Sequence, residues 1–189
     1  MFNVGVLGHS WLKPYIPGGS NYEISHKHIK LNYFCAPGAT FASVVTTKAY
    51  SDLLVSSPDL IILVLGGNDL AYGADIAHIY QDLVHLIHLI SNCCSPQLGV
   101  YVLETEKRLG DPRFINSDSY KSLRNSLVRK IKKKKSIKLL PLVKFGLDIS
   151  DLGPDGVHLN QFGRLLFQTI LKSHISDIIF DGEFASTEL

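Results

Sequence analysis

Cysteine is scarce in this chain, neither sign of charge is in marked excess, and no apolar run is long. Only 3 cysteines occur in 189 residues, Cys35 and the adjacent pair Cys93-Cys94. An odd number at these spacings fits neither a disulfide framework nor a zinc site, and points to a reducing compartment. No stretch is apolar for long enough to span a bilayer, and no Asn-x-Ser/Thr sequon occurs. The first apolar run begins at Phe2, which leaves no room for the charged and apolar regions of a signal peptide. The expectation is an intracellular, cytoplasmic protein. Lys+Arg number 19 against 17 Asp+Glu, a formal net charge of +2, so whole-chain electrostatics announce no nucleic-acid or membrane partner. Repeats, low-complexity segments and linkers are also absent. The expected organisation is one domain over residues 1–180, with a flexible tail over 181–189.

What is present is a core. Hydrophobic residues make up 46% of the chain and charged residues 19%, ordinary for one globular domain. The opening run Phe2-Asn3-Val4-Gly5-Val6-Leu7 reads as a buried strand that ends in the turn Gly8-His9-Ser10. A Pro/Gly-punctuated loop follows over 11–20, and residues 28–35 (HIKLNYFC) alternate like a second strand. Phe41, Val44, Val45, Ala49 and Leu53 carry a helical period to about Ser56. Residues 60–65 (LIILVL) are apolar on both faces, as in a central strand, and end in Gly66-Gly67-Asn68-Asp69. A helix then buries Ile76, Ile79, Tyr80, Leu83, Ile87 and Ile90. Residues 98–103 (LGVYVL) form a fourth strand, 104–116 a polar loop holding Arg108, Pro112 and Arg113, 119–135 a helix, and 137–140 a fifth strand. After a loop ending in Asp155-Gly156-Val157-His158, Asn160 caps a last helix. Strands alternating with helices predict an α/β fold, a three-layer α/β/α sandwich around a parallel sheet of about five strands.

In such sheets ligands bind where loops converge at the C-terminal strand ends. Those ends carry Ser10, Gly38, Asn68, Asp155 and His158, drawn from nearly the whole chain. Acyl transfer needs this kind of set. A serine hydroxyl is a weak nucleophile until a base takes its proton, and an imidazole is a useful base only when its other nitrogen is held. The tetrahedral intermediate also needs preorganised donors for its oxyanion. Asp155, three residues before His158 in a Gly-containing turn, can reach back to the imidazole.

Four blocks at these positions resemble those of the SGNH (GDSL-type) hydrolases, esterases and acylhydrolases of flavodoxin-like fold. They are Gly8-His9-Ser10, Gly38, Gly66-Gly67-Asn68-Asp69 and Asp155-Gly156-Val157-His158. The resemblance spans nearly the whole domain. It implies Ser10 as nucleophile, His158 as general base and acid, and Asp155 as its orienting partner. An oxyanion hole from the Ser10 and Gly38 N–H groups and the Asn68 amide is implied too, with no metal or cofactor. One departure is His9, where the family usually has aspartate. With an aromatic following it, the Gly-His-Ser variant is also similar to esterase-like modules of some animal retrotransposons and related invertebrate proteins.

Other features have plainer readings. His78, His85 and His88 share a solvated helix face with Gln81 and Asp82, not a metal site. Lys130, Lys132, Lys133, Lys134 and Lys135 close a helix, where cations suit the negative dipole end; a weak nucleic-acid or anionic-membrane contact is the alternative. Trp11 stands beside the nucleophile as a substrate-binding pocket wall or as a cap on the first strand. With no insertion to build a lid, the pocket should be open and the ester small, acetyl above all. Two further readings of function stay open, a non-catalytic module of the same fold and a nucleic-acid- or membrane-associating accessory domain.

Overall fold

The computed structural model describes residues 1–15, 20–24, 27–107, 117–142 and 147–186. Arg108, Pro112 and Arg113 of the expected polar loop, and residues 187–189 of the expected tail, lie outside them.

Six strands form one sheet in the order β2-β3-β1-β4-β5-β6. These are β1 (Phe2–Gly8), β2 (Ser20–Ile24), β3 (Lys27–Cys35), β4 (Leu60–Val64), β5 (Gly99–Leu103) and β6 (Lys138–Leu140). The five strands β3, β1, β4, β5 and β6 run parallel, in the doubly wound order of flavodoxin. The expected five-stranded parallel sheet is therefore there. β2 is an addition to it, an antiparallel edge strand paired along β3 from Ser20 opposite Leu31 to Ile24 opposite Lys27.

Alternation along β1 separates two cores. Val4 and Val6 join Leu31, Ile62 and the apolar stripe Phe167, Ile170, Leu171 and Ile175 of helix α5 (Gln161–Ser186). Leu7 points the other way with Ile61, Leu63 and Val102. That face is covered by Leu53 of α1 (Lys48–Ser56), Ile79 and Leu83 of α3 (Ile76–Cys94), and Leu127 and Ile131 of α4 (Ser117–Lys132). All five residues of β4 are buried, as befits the middle strand.

Local chemistry starts the helices. Asp75 caps α3 by accepting from Ala77 N–H at 2.9 Å, and Asn160 Oδ1 accepts from Gly163 N–H at 2.8 Å at the head of α5. The helical period from Phe41 divides: a 3-10 turn spans Ser43–Thr46, and extended Thr47 then caps α1 with its hydroxyl oxygen 3.3 Å from Tyr50 N. Likewise Gly67–Ala71 forms a short α2 before α3 begins. Helix α4 ends at Lys132, so the last lysines of the cluster fall in the following turn. Lys130 lies over the Tyr80 ring at 5.2 Å and Lys132 lies 4.0 Å from Glu104. At the C-terminus α5 continues to Ser186, so the stretch expected as a tail from Asp181 is helical in its first part. Buried Ile178 and Ile179 anchor the helix just before it, and no proline interrupts it. Among the described residues, no helix is long and apolar enough to cross a membrane.

Gly8 sits at the C-terminal end of β1, opposite Val64 of β4. A Cβ placed there would lie 2.5 Å from the Val64 carbonyl oxygen and 2.7 Å from Val64 Cβ. Backbone on a central strand cannot step aside, so Gly8→Ala should overpack the sheet and cost about 1–3 kcal/mol. At roughly 2–4 °C per kcal/mol for a chain of this size, thermal unfolding should show a clear fall in Tm. An unchanged Tm would contradict this close approach.

Candidate active site

Hydrogen bonds carry both ladders of β1 to its C-terminal end: Ala36 N–H donates to Gly8 O at 2.8 Å and His9 N–H to Val64 O at 3.2 Å. The chain then turns into a 3-10 helix, Ser10–Tyr15, whose first residue faces the loop before α5. Ser10 Oγ lies 2.8 Å from His158 Nε2. On the other side of the ring, His158 Nδ1 is 2.5 Å from Asp155 Oδ2. A carboxylate partner at Nδ1 makes that nitrogen the N–H donor, which leaves Nε2 to accept the serine proton.

The Asp155 carboxylate is held on both oxygens. Its Oδ1 accepts the backbone N–H groups of Val157 and His158, each at 2.9 Å. Partial burial works against its charge. The His158 hydrogen bond, the backbone donors and the charge of His158 outweigh that and bring its pKa down to about 2. The loop is fixed by an antiparallel bridge between Leu152 and Leu159 and by Gly153 N–H donating to His158 O at 2.6 Å.

Trp11 is 2% exposed, and its indole N–H donates to Val157 O at 2.7 Å. It thus forms part of the cleft wall and also braces the histidine loop from below. Gly38 takes a left-handed φ of +77°, with open space where a side chain would stand. Asn68, in the first turn of α2, donates from Nδ2 to Ala39 O at 2.9 Å, so its amide nitrogen is turned toward the Gly38–Ala39 turn. Neighbouring Asp69 accepts from Phe41 N–H at 3.1 Å. Ser10, Gly38 and Asn68 therefore follow the ends of three adjacent strands.

The cleft has a volume of about 610 Å³, with Ser10, Trp11, Pro14, Pro37, His158 and Leu159 in its walls. Gly38 and Asn68 lie outside that lining. Two cations the sequence reading passed over, Lys13 and Arg164, lie inside it. A third unforeseen residue, Glu106, is 2% exposed, with Oε1 3.1 Å from His9 Nε2. The pair is within ion-pair distance but is not an aligned hydrogen bond. Among the described residues no cluster of three or more His, Cys, Asp or Glu is placed to hold a metal ion. On α3, His78 lies 3.5 Å from Asp75 and His88 contacts Asn92 at 2.9 Å.

No protein-family model matches the chain, and no curated protein matches it in sequence. Solved structures do. A lipase/acylhydrolase from Enterococcus faecalis superposes with a TM-score of 0.70 at 17% identity, over 94% of this chain and 96% of that one. An acetyl xylan esterase gives 0.67 at 19% identity, over 92% and 99%. A GDSL-like lipase from Bacteroides thetaiotaomicron gives 0.65 at 14% identity, over 93% and 88%. The chain has the fold of these hydrolases.

Asp69 offers a test of the site's electrostatics. Burial pushes its carboxyl up to about 6, against the pull of the Phe41 N–H and its own backbone, with Asp82 and Glu106 adding to the rise. A carboxyl raised in the fold favours folding below its unfolded value near 4, and that advantage is lost as pH rises through 6. Asn at this position keeps the acceptor and loses the titration. The stability of Asp69→Asn relative to wild type should therefore rise by about 3 kcal/mol between pH 3.5 and pH 7 in urea titrations. A difference independent of pH would refute the raised pKa.

Proposed function

We propose that this chain is a serine esterase of the SGNH type, hydrolysing a small ester, acetyl for preference, through an acyl-enzyme. The unbroken line from Asp155 through His158 to Ser10, standing in an open cleft, carries this reading. The fold shared with lipases, acylhydrolases and an acetyl xylan esterase supports it.

In the first half-reaction His158 Nε2 takes the Ser10 proton as Oγ bonds to the ester carbonyl carbon. The oxyanion that forms is met by the N–H groups of Ser10 and Gly38 and by Asn68 Nδ2. The C–O bond to the alcohol then breaks, and the alcohol leaves with the proton from His158. In the second half, His158 takes a proton from water, the hydroxide bonds to the acyl carbon, and the acid departs as Oγ recovers its proton. Asp155, ionised at every working pH, stabilises the imidazolium in both halves and does not itself take the proton.

Ser10→Ala or His158→Ala should lower kcat for p-nitrophenyl acetate by about 10⁴-fold or more, since the members of such a set act as one unit. In wild type, kcat/KM should fall from acetyl through butyryl to octanoyl esters. Full activity in Ser10→Ala would sink the assignment, and a rise toward octanoyl would remove the acetyl preference. For Asn68, loss of an oxyanion donor should cost about 10²–10³ in kcat with little change in KM. Asn68→Asp is the sharper variant, because it sets a negative charge against a developing one. A well-folded Asn68→Asp enzyme with near-normal kcat would remove Asn68 from the oxyanion hole.

A further inference from the structure

We infer that the cleft is built for an ester that carries a negative charge, a carboxylate or a phosphate group, held between Lys13 and Arg164. The inference rests on the esterase reading and names the substrate class of that same site.

Both cations line the cleft with Ser10 and His158, and among the described residues no acidic side chain does. Lys13 follows Ser10 within the same 3-10 turn, and Arg164 follows His158 at the head of α5. The two segments are tied, since the Tyr15 hydroxyl donates to Arg164 O at 2.9 Å. Four other cations among the described residues do lie near a carboxylate, Lys48 at 2.6 Å from Asp52, Arg124 at 3.5 Å and Lys132 at 4.0 Å from Glu104, and Lys107 at 3.6 Å from Asp148. Among the described residues, neither Lys13 nor Arg164 has such a partner. Asp155 does not neutralise them either. Its oxygens are taken up by the imidazole and two backbone N–H groups.

Arg164 is also in the wrong place to stabilise its helix. The first turn of α5 has no acidic residue, and a cation there meets the positive end of the helix dipole. Its Nε donates to Leu159 O at 3.1 Å, which fixes the guanidinium against the residue after His158. The two terminal nitrogens, without a partner among the described residues, form a planar fork suited to a carboxylate or phosphate. Lys13 adds a mobile point charge from the opposite segment. The pair is solvent-facing, so the gain is moderate and sensitive to salt.

The test uses matched esters. For charge on the alcohol part, 4-acetoxybenzoate is compared with its methyl ester; for charge on the acyl part, 4-nitrophenyl hydrogen succinate is compared with 4-nitrophenyl butyrate. In at least one pair, kcat/KM at low salt should favour the anion by roughly five- to tenfold. The responding pair shows which side of the ester carries the charge. That ratio should fall toward one in Lys13→Gln/Arg164→Gln and at high salt, and Arg164→Lys should keep part of it. Ser10-dependent turnover of the neutral esters with no anion preference in either pair would overturn the inference and leave the esterase standing. If no ester turns over, the esterase reading fails, and binding decides the charge question. Trp11, the single tryptophan and part of the cleft wall, reports binding by its fluorescence. Saturable quenching by 4-acetoxybenzoate, absent with the methyl ester and lost in the double variant, supports the cation pair. Equal or absent quenching refutes it.

Discussion

The bond from the Trp11 indole N–H to the Val157 carbonyl, at 2.7 Å, is the interaction on which the site depends. Ser10 and His158 are 148 residues apart in sequence, and their own hydrogen bond is solvent-exposed. A net contribution of about 1 kcal/mol from such a bond cannot hold two loops in register. Trp11 can. Its ring meets Phe167 of α5 edge-on at 5.7 Å and His9 at 5.9 Å, so the indole is clamped between the last helix and the end of β1. The immediate neighbour of Ser10 thereby reaches the immediate neighbour of His158 through the core. The Ser10–His158 geometry is set by buried packing, and their exposed bond inherits it.

The same economy of placement separates the two aspartates. Asp155 is half-exposed but collects three donors, and its carboxylate stays charged down to about pH 2. Asp69 is 3% exposed, and burial drives its pKa up to about 6. Of the two, Asp155 is the one whose charge is secured by donors and persists far into acid, beside an imidazole. Asp69 instead holds the Phe41 turn, next to the turn that Asn68 holds through Ala39. In the segment directly after β5 two further acids, Glu104 and Glu106, are buried beside basic side chains. Glu104 lies 3.5 Å from Arg124 and accepts Leu142 N–H at 3.0 Å, and Glu106 meets His9. Buried carboxylates without such partners would be strongly destabilising.

What the sequence made legible was whatever is local. Apolar runs gave the parallel strands, and the three-residue spacing from Asp155 to His158 placed a carboxylate on the ring in the same turn. Their order along the chain put the reactive side chains at one sheet edge. β2 was not legible because what shows it among the described residues is its pairing with β3, beside a Pro17-Gly18-Gly19 stretch that reads as a loop. The break at Thr47 was hidden because the apolar period runs straight through it, while the cap is set by backbone geometry. Glu106 and Asp69 became chemically distinctive only through burial, and Lys13 and Arg164 only through a shared cleft. Trp11 illustrates the limit best. Composition can flag an indole beside a serine, but a carbonyl acceptor far along the chain is visible only in three dimensions.

His9 shows how the departure from the usual aspartate is accommodated. The residue is fully buried, its Nδ1 faces the Trp11 N–H at 3.4 Å, and its Nε2 faces Glu106. An acid thus stands near the Ser10 turn, contributed by the segment after β5, with the imidazole between the two. His9 and Glu106 are coupled by their buried contact. An aspartate at position 9 would set a second buried carboxylate toward Glu106, and two like charges in one dry site cannot both ionise. Restoring the usual residue alone would therefore not restore the usual arrangement. The floor beneath Ser10 depends on a basic ring at position 9 for as long as Glu106 stays buried opposite it.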